Sequence, residues 1–398
     1  MIRWLKSASL GLLLSQAILA AEGDYEAQSG SGLLPGAVPG TVRFAGTDTS
    51  FGIGGRLETH ASVGDVFFTA AQSGRDKLSF SQIPVSPQDI SQNQFRFNSR
   101  DSRLWLRALH PGRNLDVYVE YDLAEEPDRY TFRLRHAYVS LGPLLAGRSY
   151  TTFINSSALP DIDSGTGPGE VSLKRVQLRW TQSLLDDSLD LAVALEEPDS
   201  YISDPDSARI RPYDKDQIPH VAARLTRRAD WGEFSVASLV RSLRWQQDGQ
   251  RLDKWSGGIG VSGRLNFGAV DNLRFIANYG NGLGRFFTSG AYADASVNRE
   301  FSELDPHPVF SAQAAYQHYW SARWRSTLSL GLSRTNLPGS ANEAMTARAR
   351  SAQVNLFWSP VPALTVGFEY LHGHRQLLNG QDGELNRLLF STRYTLQL

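Results

Sequence analysis

Apolar and polar side chains alternate with a period of two over residues 385–398, which read LNRLLFSTRYTLQL. This period predicts a β-strand with one apolar face and one wet face. Arg393 belongs to the polar set and is therefore expected on the wet face. The apolar set consists of Leu388, Phe390, Tyr394, Leu396 and Leu398.

Similar alternating stretches recur from Ser50 to the end of the chain, among them NLDVYVEYDL, EFSVASLVRS, RWRSTLSLGLS and ALTVGFEYLHG. The connections between them fall into two length classes that alternate along the chain. Seven short connections lie at 111–113, 142–143, 185–188, 229–232, 268–271, 321–322 and 359–362. Eight longer ones lie near 71–92, 124–130, 153–170, 197–217, 247–253, 281–307, 335–346 and 376–383. Together they separate sixteen strands.

An even number of strands, with short turns at one end and long loops at the other, is typical of a transmembrane antiparallel β-barrel. Sixteen strands enclose a lumen too wide for side chains to fill, so the apolar face is expected to point outward to lipid. Closure of the barrel pairs the backbone N–H and C=O groups at the strand edges, which would have no hydrogen-bond partners in hydrocarbon. The last strand is therefore predicted to pair with the first, near FGIGGRLE, and the barrel to span residues 50–398.

Residues 1–21 have the pattern of a secretory signal peptide: Arg3 and Lys6 precede an apolar stretch, and Ala20 or Ala21 offers a small residue for cleavage. Residues 22–49 are rich in Gly, Pro and Ser and are expected to be weakly ordered. The chain contains no apolar run long enough for a transmembrane helix.

Composition narrows the class of protein further. The formal net charge is −1 and 41% of the residues are hydrophobic, so the composition indicates neither a disordered chain nor a nucleic-acid-binding protein. The chain has no Cys, so an exported fold must be stabilised without disulfides. Most of the 40 basic residues are Arg, whose planar guanidinium suits carboxylates and phosphates.

Tryptophans cluster at predicted strand ends, as expected for the aromatic girdles of a membrane barrel. Trp245 and Trp255 flank the longer connection at 247–253. Those beside short connections are Trp231, Trp320, Trp324 and Trp358.

Strand parity predicts the lining of the lumen. Arg175 and Arg179 alternate with the apolar residues Val176 and Leu178, and are expected to face water. One strand should carry an acidic row of Asp116, Glu120 and Asp122. The other arginines predicted to line the pore are Arg133, Arg135, Arg224, Arg274, Arg325 and Arg393.

An excess of inward Arg over acid predicts anion preference, because charged rings set selectivity and low-dielectric walls focus their field. The alternative is that inward arginines only brace the wall by pairing with carboxylates.

Arg148 lies next to a long loop and is the predicted constriction residue. Asp161 and Asp163, in that loop, are expected to offset Arg148 or pair with it. Parity places Arg133 and Arg135 on the same face as Ala137 and Val139.

Two stretches resemble the DcaP-like outer-membrane porins: PGTVRFAGTDTSFGIGGRLE at 39–58 and RLRHAYVSLGPLLAGRSYTTF at 133–153. The resemblance implies a homotrimer in the bacterial outer membrane and a lumen that favours anionic solutes such as dicarboxylates. It also implies that INSSALPDIDSGTGPGE forms an inward-folded loop. Two features differ from the family pattern: residues 22–49 show no heptads, and the last residue is Leu398 where outer-membrane strands most often end in Phe.

No enzyme, metal or cofactor is expected. The HGH motif at 372–374 places two imidazoles on one strand face, where they could form a metal pair. They lie at a strand end without a nearby carboxylate, so they are expected to be solvated rim histidines. The glycine-rich GTGPGE at 165–170 precedes no predicted helix, which argues against a phosphate loop.

The predicted function is a porin for passive diffusion. Its expected partners are small anionic or polar solutes, membrane lipid and lipopolysaccharide, and further copies of the chain. The alternatives are an outer-membrane hydrolase and an adhesin that uses the long loops.

Overall fold

Sixteen antiparallel strands close into a single barrel in the computed structural model, as the sequence predicted. The structure describes residues 32–67, 80–86, 90–126, 129–165, 167–185, 188–203, 210–213, 216–247, 249–287, 292–339 and 341–397. The predicted signal peptide and Leu398 lie outside these ranges. No helix of the described residues is long and apolar enough to cross a membrane.

A short hairpin precedes the barrel, formed by β1 (Leu33–Pro35) and β2 (Val42–Phe44). The first barrel strand is β3 (Ser50–Phe67), and β2 pairs with its start through Val42 and Phe51. This part of the Gly- and Pro-rich segment is therefore an extension of the barrel sheet, and the expectation of weak order was wrong for it. Thr41 closes the hairpin by donating its hydroxyl to the Val38 carbonyl at 2.7 Å.

The remaining barrel strands follow in sequence order. The second strand is broken into two pieces, β4 (Ile90–Asn98) and β5 (Arg103–His110), both paired with β3. The others are β6 (Leu115–Glu126), β7 (Arg129–Leu141), β8 (Leu144–Tyr150), β9 (Lys174–Leu184), β10 (Leu189–Glu196), β13 (His220–Ala229), β14 (Gly232–Gln247), β15 (Gln250–Phe267), β16 (Asp271–Asn281), β19 (Pro308–Tyr319), β20 (Trp324–Thr335), β21 (Thr346–Val361), β22 (Leu364–Leu377) and β23 (Asp382–Gln397).

Four short strands in the loops form a second sheet: β11 (Ser200–Ser203), β12 (Ile210–Tyr213), β17 (Ala295–Val297) and β18 (Leu304–Pro306). They belong to loop 4, residues 197–219, and loop 6, residues 282–307. Ile202, Ala295 and Val297 are buried in this sheet against Leu243 and Trp245 of β14. Loop 4 and loop 6 are therefore packed against the wall at the long-loop rim.

The barrel closes where β23 meets β3. Their register runs from Arg387 opposite Gly64 to Gln397 opposite Gly54. This confirms that the chain's last strand pairs with the first. The predicted alternation of short and longer connections holds only in part, because two connections predicted to be longer, β6 to β7 and β14 to β15, are two residues each.

The two strand faces differ as the period of two requires. On β20, Leu328, Leu330 and Leu332 are about half exposed, whereas Ser329 between them is fully buried. The outer surface is thus an apolar band, and the polar face lines the interior. This orientation places the candidate functional residues inside the barrel.

Tryptophans at the short-turn rim are exposed, and Trp324 stacks on Trp358 with ring centroids 5.9 Å apart. Trp245 is an exception, because it lies on the inward face of β14 and stacks on Phe301 at 5.6 Å. Its exposed fraction is 1%, so its predicted place in an outer aromatic girdle was wrong.

Candidate functional site

The segment between β8 and β9, here called loop 3 (residues 151–173), folds into the barrel. A 3₁₀ turn at Ser156–Ala158 begins it, and Asn155 caps this turn by accepting from the Ser157 amide at 3.0 Å. Gly169 lies so close to the wall that a Cβ there would be 2.4 Å from the Ala312 carbonyl carbon. Gly167 and Gly169 of GTGPGE therefore allow loop 3 to pack closely against β19, and Pro168 packs against Gly331 of β20.

Two aspartates fasten loop 3 to the opposite wall. Asp161 accepts from Arg393 Nη1 and from Arg325 Nε, each at 2.8 Å. Asp163 pairs with Arg393 as well. Burial raises the pKa of Asp161, but Arg393 and Arg325 outweigh it and lower the value to about 2. The carboxylate therefore stays charged and paired at any physiological pH.

Glu369 of β22 completes this attachment and was not found from the sequence. Its carboxylate accepts from the backbone amides of Asp163 at 2.8 Å and Ser164 at 2.7 Å. Asn355 donates to the Asp161 carbonyl at 2.8 Å and to Glu369 at 3.2 Å. Parity alone identifies Glu369 as inward, since it alternates with Phe368 and Tyr370, but the partner in a distant loop could not be predicted.

Arg148 does not point into the lumen. It lies opposite Ala137 of β7 and Val176 of β9, and Val176 belongs to the exposed outer face. The predicted role of Arg148 at a constriction, and its pairing with Asp161 or Asp163, were wrong. Ser149, its neighbour, is the buried inward residue opposite Arg175.

A β-bulge corrects the predicted face of β7. The register slips where Glu120 faces His136 and Tyr121 faces Leu134, so Arg135 is the extra residue. Such a bulge reverses the parity of the strand beyond it. Arg133 and Arg135 therefore lie inward, while Val139 is exposed on the outer surface.

The acidic row of β6 is matched by arginines. Arg135 donates to Glu120 at 2.8 Å and to Asp122 at 2.7 Å. Arg133 makes a bidentate contact with Asp122, at 2.7 and 2.9 Å. Asp116 accepts from Nε and Nη2 of Arg107, each at 2.9 Å. These carboxylates therefore contribute little net field to the lumen.

Arg175 faces inward as predicted by parity, yet loops cover it. Its Nη2 lies 2.6 Å from Asp199 in loop 4, and its guanidinium carbon lies 4.9 Å from the Phe286 ring of loop 6. The residue is only 5% exposed. Arg175 therefore braces the loops, and the prediction that it faces open water beside Arg179 was wrong.

Four inward arginines form what we call the basic wall: Arg179, Arg224, Arg264 and Arg274. Arg179 is level with Ala194 and Arg224 with Ala192, so the small side chains of β10 separate the two. Two strand spacings and a stagger of two residues put their backbones about 12 Å apart. Arg264 lies directly opposite Arg274. Arg264 was not among the predicted pore-lining residues, although its alternation with Val261 and Leu265 places it on the inward face.

Among the residues that the structure describes, the basic wall has no carboxylate partner in an ion pair. Within the described part of the chain none of its four arginines takes part in an ion pair, whereas the nearby Arg228 pairs with Asp190 and Glu233. Arg274 instead donates to Asn272 at 2.9 Å and to the Leu159 carbonyl of loop 3. Like charges on one wall leave a positive surface facing the lumen.

Among the described residues, one group of side chains has the chemistry to hold a metal. Ligand atoms of Glu58, His60 and Asp163 lie within 4.8 Å of one another. Arg56 and Arg393 already pair with the two carboxylates, which reduces their attraction for a cation. Of the HGH histidines, His374 lies 3.2 Å from Asp382, so the expectation that no carboxylate is near was wrong.

Comparisons with known proteins agree with this architecture. The family model described as DcaP outer membrane protein matches residues 124–396. The solved structure of the outer membrane channel DcaP of Acinetobacter baumannii superposes with a TM-score of 0.76 at 20% identity, covering 87% of this chain and 97% of that chain. An anion-selective porin from Comamonas acidovorans gives 0.57 at 10% identity, with coverages of 87% and 99%. OmpF of Salmonella typhi in complex with daunomycin gives 0.53 at 12% identity, with coverages of 87% and 98%. A comparison with curated protein sequences gave no match.

Proposed function

Because the chain belongs to the DcaP outer membrane protein family and is an outer-membrane porin, we propose that it conducts small anions, carboxylates included, in preference to cations. The observation that carries the proposal is an imbalance of charge inside the barrel. Asp116, Glu120 and Asp122 of β6 and the two aspartates of loop 3 are paired with arginines, whereas the basic wall has no paired acid among the described residues. We therefore expect the field in front of the basic wall to be positive.

The physical basis is electrostatic focusing. Low-dielectric walls concentrate the field of the guanidinium groups in the water between them. The backbones of Arg179 and Arg224 are about 12 Å apart, which is about one and a half Debye lengths at physiological salt, so the fields of the two side chains overlap in part. A carboxylate can accept two parallel hydrogen bonds from one guanidinium. Each contact between an anion and an arginine replaces a contact with water, so the anion binds only weakly. Weak binding favours passage of the anion over its retention in the channel.

A relative by fold gives independent support. The Comamonas acidovorans porin is described as anion-selective. We carry that property to this chain only together with its own unpaired arginines, since the two sequences are 10% identical.

Planar-bilayer recording of the purified protein tests the proposal. We expect stable ohmic steps and, in a KCl gradient, a reversal potential on the chloride side. Liposome swelling should be faster with succinate than with lysine or with a neutral sugar of similar size. A reversal potential on the potassium side, or equal swelling with succinate and lysine, would overturn anion preference. Absence of any conductance would overturn the channel itself.

We also propose that the functional form is a homotrimer. β8 reaches only Ala137–Leu141 of β7, so the wall is lower beside the upper part of β7. Phe132 in that part is 74% exposed. Arg148 lies nearby on the outer face, where a charge at mid-membrane costs about 2–4 kcal/mol in lipid. A second copy against this surface would cover both residues.

Native mass measurement in mild detergent tests the assembly. We expect three chains for the wild type and a large loss of trimer for Phe132→Glu. Phe95→Glu is the matched control, since Phe95 is also an exposed aromatic on the outer face. Equal loss for both variants would show that Phe132 is ordinary lipid-facing surface. We propose, further, that residues 1–21 are removed on export, which the intact mass of the mature chain checks.

A further inference from the structure

Three exposed arginines lie together on the outer surface of the barrel, at the long-loop end of β20 and β21. Arg334 is directly opposite Arg348, and Arg350 follows two residues later on the same face of β21. They line a groove with Phe310 and Leu332. The guanidinium of Arg334 lies 5.8 Å from the centroid of the Phe310 ring. We call this group the outer arginine patch.

The outer arginine patch is electrostatically incomplete. Like charges directly opposite each other on a sheet are destabilising, and the Cβ atoms of such pairs are about 5 Å apart. In the described part of the chain none of the three arginines takes part in an ion pair. The nearest acids on the same sheet face are Asp382 and Glu384 on β23, two strands or about 10 Å from β21. His374 already uses Asp382. An external anion is therefore needed to offset the repulsion.

The height of the patch identifies where that anion comes from. Trp324 marks the short-turn edge of the apolar band on β20, and Arg334 follows ten residues later. At a 3.4 Å rise and a tilt of about 40°, ten residues climb roughly 26 Å. The apolar band of an outer-membrane barrel is about 25 Å tall. The arginines therefore lie at the level of the lipid headgroups on the long-loop side.

We propose that the outer arginine patch binds a phosphate of a phosphorylated glycolipid in the outer leaflet. Arg presents a planar donor fork that matches phosphate, and contacts between charged donors and acceptors are the stronger hydrogen bonds. Leu332 and Phe310 lie beside the arginines on the outer surface and provide apolar contact for an acyl chain. A headgroup phosphate with its acyl chain thus matches a basic site bordered by an apolar wall. The site is separate from the lumen, so the proposal stands apart from ion selectivity.

The test compares lipid retention by two triple variants of the full-length protein. Arg334→Gln, Arg348→Gln and Arg350→Gln together remove the patch. Arg113→Gln, Arg227→Gln and Arg323→Gln remove the same charge from exposed positions at the short-turn rim. Bis-phosphorylated lipid A is titrated into each protein in mild detergent and bound lipid is counted by native mass spectrometry. Dephosphorylated lipid A and inorganic phosphate are the comparison probes.

We expect lipid A to bind the wild type and the rim variant equally and the patch variant at least about tenfold more weakly, with the reversal potential unchanged. Dephosphorylated lipid A should bind weakly to all three proteins, and inorganic phosphate should not compete at equal concentration. Equal lipid A affinity in the wild type and the patch variant would overturn the proposal. Effective competition by inorganic phosphate would assign the site to free phosphate. Loss of trimer without loss of lipid would assign the patch to a protein interface. Either of these two outcomes would also contradict the proposal that the patch binds a lipid phosphate.

Discussion

Individual side chains decide which charges the lumen presents. Arg148 was expected at the constriction because it is adjacent to loop 3, yet β8 reads LLAGRSY and gives no clear parity. The observed register places it outward, opposite Val176. Arg264 is the opposite case. The clear alternation of β15 identifies it as inward, although it was not among the predicted pore-lining residues.

Arg148→Gln should leave the reversal potential in a KCl gradient unchanged, since the side chain does not face the conducting path. Planar-bilayer recording checks this directly. Arg179→Gln, which changes an inward residue, should shift the reversal potential toward cation preference. If Arg148→Gln shifts the potential as much as Arg179→Gln, the outward placement is wrong.

Gly169 is the contact that lets loop 3 lie against the wall. In Gly169→Leu the new side chain would meet Ala312 backbone, and overpacking of this kind typically costs about 1–3 kcal/mol. We expect loop 3 to become cleavable by protease and the open-channel current to become noisier. Gly339→Leu is the control, because nothing lies within 4 Å of a Cβ there. Equal protease resistance of the two variants would contradict the role of Gly169.

At the scale of elements, the strands were more predictable than the loops. Outward apolar alternation depends only on the period of two, which is why the face of β23 was predicted correctly. The bulge at Arg135 has no signal in that period, and it appears only in the pairing of β6 with β7. The covering of Arg175 by loop 4 and loop 6 depends on contacts between residues distant in sequence, such as Asp199.

The sheet formed by loop 4 and loop 6 should be sensitive to pH through Asp216. Burial is the main cause that raises the pKa of this carboxyl to about 6, and Asp199 and Asp294 add to it, against the hydrogen bond from Ser200 and the charge of Arg241. The folded state thus binds more protons than the unfolded chain between about pH 4 and 6. Stability of the sheet is therefore greatest at the acidic end and falls as pH rises through about 6.

Hydrogen exchange of peptides covering β11 and β17 checks this expectation. Protection should decrease between pH 4.5 and 7 after correction for the intrinsic exchange rate, and Asp216→Asn should flatten the trend. Asp230→Asn, in an exposed turn, should keep it. The same slope in wild type and Asp216→Asn would show that Asp216 is not responsible.

At the scale of the whole molecule, the barrel, its strand number and its closure were predictable, because they follow from alternation and connection length. The charge balance of the lumen was not, because it depends on which arginines find a carboxylate. Asp161 pairing with Arg325 and Arg393 joins residues more than 150 positions apart. The predicted alternative, that inward arginines brace the wall, holds for Arg133, Arg135 and Arg175, while the basic wall forms no ion pair with any described residue.

The central claim is that the basic wall sets anion preference, and the reversal potential of a wall variant tests it most directly. Arg179→Gln, Arg224→Gln and Arg264→Gln are combined, and Arg274 is kept because it contacts loop 3. The paired control is Arg107→Gln with Asp116→Asn, which removes a neutral pair from the same lumen. In a low-salt KCl gradient the wall variant should shift toward cation preference while the control stays at the wild-type value. The shift should shrink as salt rises, because screening weakens the native field. An unchanged reversal potential in a wall variant that folds and conducts would contradict the account.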